Sequence, residues 1–329
     1  MWPTMESYLH RQIHDLLLKA REPVFISDER IDGDSLGASL ALADFMASCG
    51  KIVPVYIASP VPEQYRRLPR VHQCTTSLEI FENPEIDLVV VFDCSDAEFI
   101  RSLVERIPGN PTIINIDHHT TNSRYGHVNQ VVEGAPATAA VIHQFFEENQ
   151  IIPSRDAATC LLTGLCFDTT AFSNGATNEQ ALDVASKLLL GGARVQDVIH
   201  AMFHNRSVSA LRVWGAALER IEEDREQNMI STYLTRLDIE ENQVSDDEID
   251  GLSNFLNLVT DVDTLRVFRE TTDGHVKVSM RSLTRDVSEI AKAQGGGGHK
   301  RAAGYVIPES KLVCGADGCW RVEKLPKTS

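Results

Sequence analysis

Positive charge is what this chain has least of. Its 31 lysines and arginines face 47 aspartates and glutamates, leaving a formal net charge of −16 at pH 7. A protein that grips long nucleic acid needs a track of Lys and Arg to replace the phosphate counterions, and no basic stripe runs along this sequence. That argues against long duplexes as partners. Small phosphorylated ligands stay open, because a bound metal can supply positive charge locally. Long apolar runs are missing too, so no stretch could span a bilayer as a helix and no membrane partner is expected. The first twenty residues scatter Glu6, His10, Arg11 and Asp15 among apolar positions, which does not suit a secretory leader. The 7 cysteines are odd in number and irregularly spaced, as expected of reduced thiols in a cytoplasmic protein. Cys314 and Cys319 form the one suggestive pair, and two ligands are too few for a structural zinc. Internal repeats and low-complexity segments are absent.

What remains is a chain of 329 residues, 43% hydrophobic and 24% charged, long enough for two domains. Tyr8, Ile13, Leu16 and Leu17 fall at helical spacing and predict an amphipathic helix over 4–20. Strands are predicted over 24–26, 52–58 and 87–92, the last a continuous apolar run of the kind buried on both faces of a parallel sheet. A fourth, over 112–116, stops on Asp117-His118-His119. Helices are expected over 35–49, 137–149, 156–167 and 178–190. This alternation indicates an α/β fold, a doubly wound parallel sheet, for residues 1–205. A charged helix within 206–227 reads as a connector. Strands over 229–237, 265–270 and 275–281, with helices over 246–259 and 286–293, read as a smaller α+β domain spanning 228–310. The tail, 311–329, carries no signal.

Apolar elements of the first domain end repeatedly on acids. Asp28, Asp32 and Asp34 follow the first strand, Asp93 the third and Asp117 the fourth, and Asp168 closes a further apolar run. Singly, each has an ordinary role: Asp93 could cap a helix, and Asp32-Gly33 could make a turn. Together they would crowd at the carboxyl edge of one sheet, where ligands bind in such folds. Crowded carboxylates repel and raise one another's pKa unless a cation lies between them. Two divalent cations would neutralise the set and suit in-line displacement at phosphorus. Mixed carboxylate and imidazole donors favour manganese (Mn2+), with magnesium (Mg2+) or cobalt (Co2+) as alternatives.

A second constellation is Gln294-Gly295-Gly296-Gly297-Gly298-His299-Lys300-Arg301. Consecutive glycines expose backbone N–H groups, and the cations that follow would stand at the lip of an anion-binding loop. A flexible linker is the bland reading. A small-residue helix start and a strand over 305–307 are expected directly after it, which favours the loop. Upstream, Lys277, Ser279 and Arg281 share one strand face, with Arg281 the best placed for phosphate or base contact.

In this order, Asp32-Gly33-Asp34, Asp93, Asp117-His118-His119 and Asp168, then Gly295 to His299, the motifs resemble the DHH phosphoesterase superfamily with its DHH-associated C-terminal domain. The two-domain layout, the length and Val278-Ser279-Met280-Arg281-Ser282 are most similar to the branch of bifunctional oligoribonucleases and 3′-phosphoadenosine-5′-phosphate phosphatases. The resemblance covers about residues 20–310. It implies that Asp32 and Asp93 hold one metal while Asp34, Asp93, His118 and Asp168 hold the other. Asp117 would then orient the neighbouring imidazole, as carboxylates behind metal ligands do. It further implies a catalytic set of Asp93, His118 and His119, with His119 facing the substrate phosphate. Gly296, Gly297, Gly298 and His299 would close over that phosphate from the second domain, and Arg101 and Arg281 would add contacts.

The chain departs from the family pattern at Asp28, where a histidine is usual, and at Thr170, where a glycine is usual. A carboxylate at Asp28 still suits a hard cation, so Asp28 joins the expected metal ligands. The expected function is a cytoplasmic two-metal phosphoesterase acting on short RNA or small 3′-phosphorylated nucleotides in a cleft between the domains. A homodimer is compatible with the chain. The rival activities are hydrolysis of a linear or cyclic dinucleotide and a manganese-type inorganic pyrophosphatase, the second needing more Lys and Arg near the glycines. The rival of another class is a degenerate nucleotide-binding protein impaired at Asp28.

Overall fold

A computed structural model of the chain describes residues 5–203, 207–249 and 251–325. The chain divides into two units, Met1–Asn205 and Arg206–Ser329. The first begins with α1 (Met5–Lys19), β1 (Pro23–Ile26), α2 (Gly33–Ser48), β2 (Val55–Tyr56), β3 (Cys74–Thr75) and β4 (Leu88–Phe92). It continues through α3 (Ala97–Val104), β5 (Thr112–Asp117), β6 (Val128–Val131), α4 (Thr138–Glu148), α5 (Arg155–Asp168), α6 (Glu179–Leu190) and α7 (Val195–Phe203). The strands form one parallel six-stranded sheet, ordered β3-β2-β1-β4-β5-β6. The order reverses between β1 and β4, the point at which a doubly wound sheet opens a crevice beyond its carboxyl edge.

Why these strands stay central is visible in their burial. Every residue of β1 and β4 is buried. Alternate residues serve opposite faces, as the period of a strand requires. Phe25, Val90 and Phe92 join the core built with α2, α4 and α5, while Val24, Ile26, Val89 and Val91 join Ile100 and Leu103 on the other side. Helix α2 is buried almost throughout because α5 lies close against it. A Cβ at Gly37 would stand 2.5 Å from the Cys160 carbonyl oxygen, and one at Gly164 would stand 2.7 Å from Asp34 Oδ1. Small residues at those two positions therefore let α5 carry its C-terminal end to the start of α2.

The second unit holds α8 (Val208–Glu219), β7 (Glu222–Asp224), β8 (Met229–Leu234), α9 (Arg236–Asn242), α10 (Asp246–Ile249), α11 (Leu252–Val259) and β9 (Thr264–Glu270). It ends with β10 (Val276–Ser282), α12 (Val287–Ala293), β11 (Gly297–His299), β12 (Ala302–Ile307), β13 (Ser310–Cys314) and β14 (Trp320–Lys324). Its main sheet runs β11-β12-β10-β9-β8-β7, antiparallel except between β8 and β9.

Several elements differ from the sequence reading. The strand expected over 52–58 shrinks to Val55–Tyr56, since Pro54 lacks the N–H a ladder needs. The supposed connector is structural: Ala210, Val213, Trp214 and Ala217 of α8 are buried with Leu234, Leu252 and Leu256. The helix expected over 246–259 breaks at Gly251, whose φ is +97°. No helix starts after the glycine run; Ala302 to Ile307 is strand. The tail folds into the β13–β14 hairpin, whose Leu312 packs with Val276 and Val278. Among the described residues no helix is long and apolar enough to cross a membrane.

Candidate metal centre

The loop after β1 leads to Asp32, which caps α2. Its Oδ1 accepts the Asp34 and Ser35 amides at 3.0 and 2.9 Å, and Ser35 Oγ accepts the Asp32 amide in return. Asp34, in the first turn of the same helix, has no exposed surface. Its carboxylate accepts the amides of Thr138 (2.5 Å) and Ala139 (2.8 Å). Those are the orphan donors at the start of α4, whose own cap residue, Ala137, offers no side-chain acceptor. Asp34 thus caps a helix far from it in sequence.

Asp93 leaves the end of β4 in the left-handed region, φ +59°, a conformation that costs a non-glycine residue about 1–3 kcal/mol. Its amide donates to the Ile116 carbonyl at 2.9 Å, and its Oδ1 accepts the Thr138 hydroxyl at 2.9 Å. Asp117 ends β5, fully buried. Its Oδ1 accepts the amides of His118 (2.6 Å) and His119 (3.0 Å) and faces His119 Nδ1 at 2.8 Å. Asp168 comes from the end of helix α5, which fills the helix expected over 156–167.

These residues converge. His118 Nε2 lies 3.0 Å from Asp168 Oδ2 and 3.6 Å from Asp93 Oδ1, and His119 Nδ1 lies 3.5 Å from Asp93 Oδ1. Two groups of donor atoms, each within 4.8 Å of one another, overlap at His118: Asp93, Asp117, His118 and His119, and Asp34, His118 and Asp168.

Does this set suit a divalent cation? His118 Nδ1 sits 3.0 Å from the Ala135 carbonyl, which can only accept, so this nitrogen carries the proton. In the neutral form of this tautomer the ring would turn the lone pair of Nε2 toward two carboxylates. Nε2 is buried and makes no aligned hydrogen bond. A lone pair against carboxylate oxygens is repulsive unless a positive charge stands between them, a proton in the metal-free protein or a metal ion when one is bound, and the fixed tautomer is what a metal-ligating imidazole requires. The donors therefore fit a divalent metal.

The electrostatics of the metal-free protein say the same. Burial, with Asp168 nearby, lifts Asp32 from an ordinary 3.8 to about 6. Burial and neighbouring carboxylates push Asp34 and Asp93 well above the ordinary range. Burial opposes a charged His118, yet contact with Asp168 and the charge of Asp34 outweigh it and raise the imidazole to about 9. The site gathers protons when it holds no metal, and metal binding would release them. Asp117 differs: burial would raise it, but hydrogen bonds from His119 and Asn122 hold it below its ordinary value.

Not every expected residue joins the cluster. Asp32 lies beside it, close enough to feel the charge of Asp168, and half-buried Asp28 lies against the Cys94 thiol; neither is in the two donor groups. Arg101 is exposed on α3 and pairs with Glu98 at 2.8 Å. In the second unit the last two glycines of the run, with His299, form an edge strand. Gly297, Gly298 and His299 pair with Gly304, Ala303 and Ala302. A Cβ at Gly296 would stand 2.1 Å from the Gly304 carbonyl oxygen, so packing on β12 alone demands glycine there. Arg281 donates to Asn254 Oδ1 at 2.9 Å and lines a cavity of about 260 Å³ with Lys277, Ser279, Arg269 and the start of α11. Sequence reasoning gave no role to Thr138 or Asn122. An alanine before a buried helix start could have signalled that its amides need an outside acceptor.

A parallel sheet ordered in this way, with Asp-Gly-Asp, Asp93, Asp-His-His and Asp168 gathered at its carboxyl edge, defines a class. Residues 23–165 match the DHH family, N-terminal domain, and residues 226–314 match the DHHA1 domain. The chain belongs to the DHH family and is a DHH-family hydrolase. Among its relatives is the bifunctional oligoribonuclease and PAP phosphatase NrnA of Thermus thermophilus, 29% identical over 301 residues, or 90% of this chain and 88% of the relative. An exopolyphosphatase-related protein from Bacteroides fragilis shares the fold at a TM-score of 0.80 and 22% identity, over 91% of this chain and 90% of that one. RecJ from Thermus thermophilus, crystallised with Mn2+, is similar at a TM-score of 0.51 and 17% identity, over 92% of this chain and 52% of that one.

Proposed function

We propose that this chain is a divalent-metal-dependent, cytoplasmic phosphoesterase that hydrolyses short oligoribonucleotides and 3′-phosphoadenosine-5′-phosphate. The observation that carries the reading is His118 Nε2, buried without an aligned hydrogen bond, 3.0 Å from Asp168 and 3.6 Å from Asp93. Asp34, Asp93, His118 and Asp168 would hold one metal, and Asp28, Asp32 and Asp93 would serve the other, manganese first and magnesium or cobalt next. When bound, such cations act as Lewis acids on a phosphoryl oxygen and make water a nucleophile near neutral pH.

The chain's own groups do the rest. Thr138 fixes the rotation of Asp93 through its hydroxyl, and the α4 amides fix Asp34. His119 keeps its proton on Nδ1 against Asp117, which leaves Nε2 of a side chain 46% exposed as the nitrogen for a phosphate oxygen or leaving group. In the second unit, Lys277, Ser279 and Arg281 give one cavity positive charge and hydroxyl donors. The start of α11 adds amides that no side chain caps. That cavity is a second phosphate contact in this reading, and Gly296, Gly297, Gly298 and His299 contribute backbone and imidazole donors from the β11 edge. Arg101 would exchange Glu98 for substrate.

Substrate class is supported by the Thermus thermophilus relative, whose name gives oligoribonuclease and PAP phosphatase activity and of which 88% is covered. The net charge of −16 supports short substrates, about five nucleotides or fewer, because each added phosphate brings repulsion without a basic track to meet it. The test is a panel of RNA dinucleotides to decamers, 3′-phosphoadenosine-5′-phosphate, linear and cyclic dinucleotides, and pyrophosphate, each with manganese and with magnesium. The expected order places short RNA and 3′-phosphoadenosine-5′-phosphate first. Turnover confined to pyrophosphate or cyclic dinucleotides would replace this reading, and absence of turnover with every metal would favour a binding protein.

A further inference from the structure

The loop that carries the two histidines is pinned from below by an amide that none of the roles above uses. Asn122 is only 9% exposed, and its amide makes contacts in every direction. Its Nδ2 donates to Asp117 Oδ2 and stands 3.2 Å from the Cys94 carbonyl and 3.3 Å from Asn115 Oδ1. Its Oδ1 accepts Asn115 Nδ2 and the Arg124 amide, each at 2.8 Å. Asn115, wholly buried in the middle of β5, is anchored in turn on Asn129 Oδ1 at 3.2 Å. The backbone closes the same loop, with the Asn122 amide 3.2 Å from the His119 carbonyl. A hydrogen-bonded chain therefore runs from the interior of β5 through Asn122 to Asp117, and from Asp117 to His119.

The division of labour on Asp117 is uneven. Oδ1 receives the His118 amide, the His119 amide and His119 Nδ1. Oδ2 receives Asn122 as its one hydrogen-bond donor among the described residues. A carboxylate held at one oxygen can swing about its χ2 torsion; held at both, it is fixed as a plane. That plane decides whether Oδ1 meets His119 Nδ1 in line, and so which ring nitrogen of His119 carries the proton. We infer that Asn122 is a positioning residue for His119: through Asp117 it holds the imidazole in the tautomer and orientation that leave Nε2 for the substrate phosphate. The inference rests on the phosphoesterase reading. It adds a residue that does not itself touch the substrate and that stands apart from the donor groups.

A merely structural role for Asn122, as glue for the loop, would loosen metal and substrate handling together and would not care whether His119 is present. Positioning through His119 makes a sharper demand, which a double-mutant cycle meets. Turnover of a 5′-phosphorylated RNA dinucleotide with manganese is measured for the wild type, Asn122→Ala, His119→Ala and the double variant, alongside calorimetric titration with manganese alone. Asn122→Ala is expected to lower kcat by about 10–100-fold, the usual range for a residue behind the reacting groups. KM and manganese affinity should stay within about threefold, and the same substitution in the His119→Ala background should cost less than about twofold.

An Asn122→Ala loss that persists in full without His119, or that follows a parallel loss of manganese affinity, overturns the inference. If Asn122→Ala does not fold, Asn115→Ala frees the Asn122 amide while leaving it in the loop, and gives the same test. A several-fold loss that vanishes without His119 supports positioning; no loss, or a loss independent of His119, overturns it. His119→Ala with wild-type turnover would overturn both this inference and the role given to His119. A panel with no active substrate would remove the phosphoesterase reading itself, and the two failures are distinct.

Discussion

Thr138 and Asp34, 104 positions apart, are joined by a 2.5 Å hydrogen bond from the Thr138 amide to Asp34 Oδ2. The hydroxyl of the same threonine donates to Asp93 Oδ1 at 2.9 Å. One helix start therefore sets the positions of two carboxylates that arrive from different elements.

The two bonds can be separated. Thr138→Val keeps the shape and the amide but removes the hydroxyl. Manganese affinity should fall about 10–100-fold by calorimetry, as for other groups that orient a metal ligand, while the far-ultraviolet spectrum stays unchanged. Unchanged affinity would mean that Asp93 needs no help from Thr138.

The raised pKa values carry a sign that chelation can expose. Folded Asp32 titrates at about 6 against an ordinary 3.8, so at pH values between them the folded state holds more protons than the unfolded one. His118, raised from 6.5 to about 9, contributes stability that is complete below 6.5 and lost as pH rises through 9. Both make the metal-free protein less stable as pH rises. Asp117, lowered, works in the opposite sense but only below its ordinary 3.8. Melting temperature with chelator should therefore fall between pH 5 and pH 9, and added manganese should flatten or reverse that slope. A rising slope with chelator would contradict the packing of these carboxylates.

The cavity on the second unit offers a binding test free of the metal site. Lys277 and Ser279 line it, and neither side chain has a hydrogen bond or ion pair among the described residues. Lys277→Ala should raise KM for an RNA dinucleotide several-fold with little change in kcat, as loss of uniform binding does. The variant should also weaken the salt dependence of KM. A fall in kcat with unchanged KM would argue against a substrate-anchoring role.

Asp28 separates this chain from the pattern it otherwise follows. It lies half-buried against Cys94, outside the two donor groups. A carboxylate there favours hard cations, whereas an imidazole favours the later transition metals. Asp28→His should stay active and shift its metal preference toward manganese or cobalt in a steady-state assay across metals. The same preference as the wild type would remove Asp28 from the ligands.

Much of the centre could be read from the sequence because strands end on its residues. Asp93 and Asp117 follow apolar runs, and the periodicity that marks a buried strand also marks where its carboxyl end lies. Asp168 was legible differently, as the acid that closes the apolar run Leu165-Cys166-Phe167 at the end of a helix expected over 156–167, and α5 is that helix. The glycine run misled. Four glycines carry no side-chain pattern, so an edge strand packed against β12 looks like a loop. β6 escaped notice because Val128-Asn129-Gln130-Val131 is half polar, its Asn129 amide serving the network under Asp117. Thr138 and Asn122 were out of reach for a plainer reason. Their meaning lies in partners that only the folded chain brings near.

The most direct test of the metal centre is the turnover of Asp93→Asn on a 5′-phosphorylated RNA dinucleotide with manganese, beside the wild type and the chelated wild type. Asp93 is the carboxylate that meets His118, His119 and Thr138 at once. Turnover should be abolished by chelation and lowered at least about 10²–10³-fold by the substitution, with the folded state retained. Hydrolysis by Asp93→Asn within twofold of the wild type, or hydrolysis that survives chelation, would mean that the reaction takes place elsewhere.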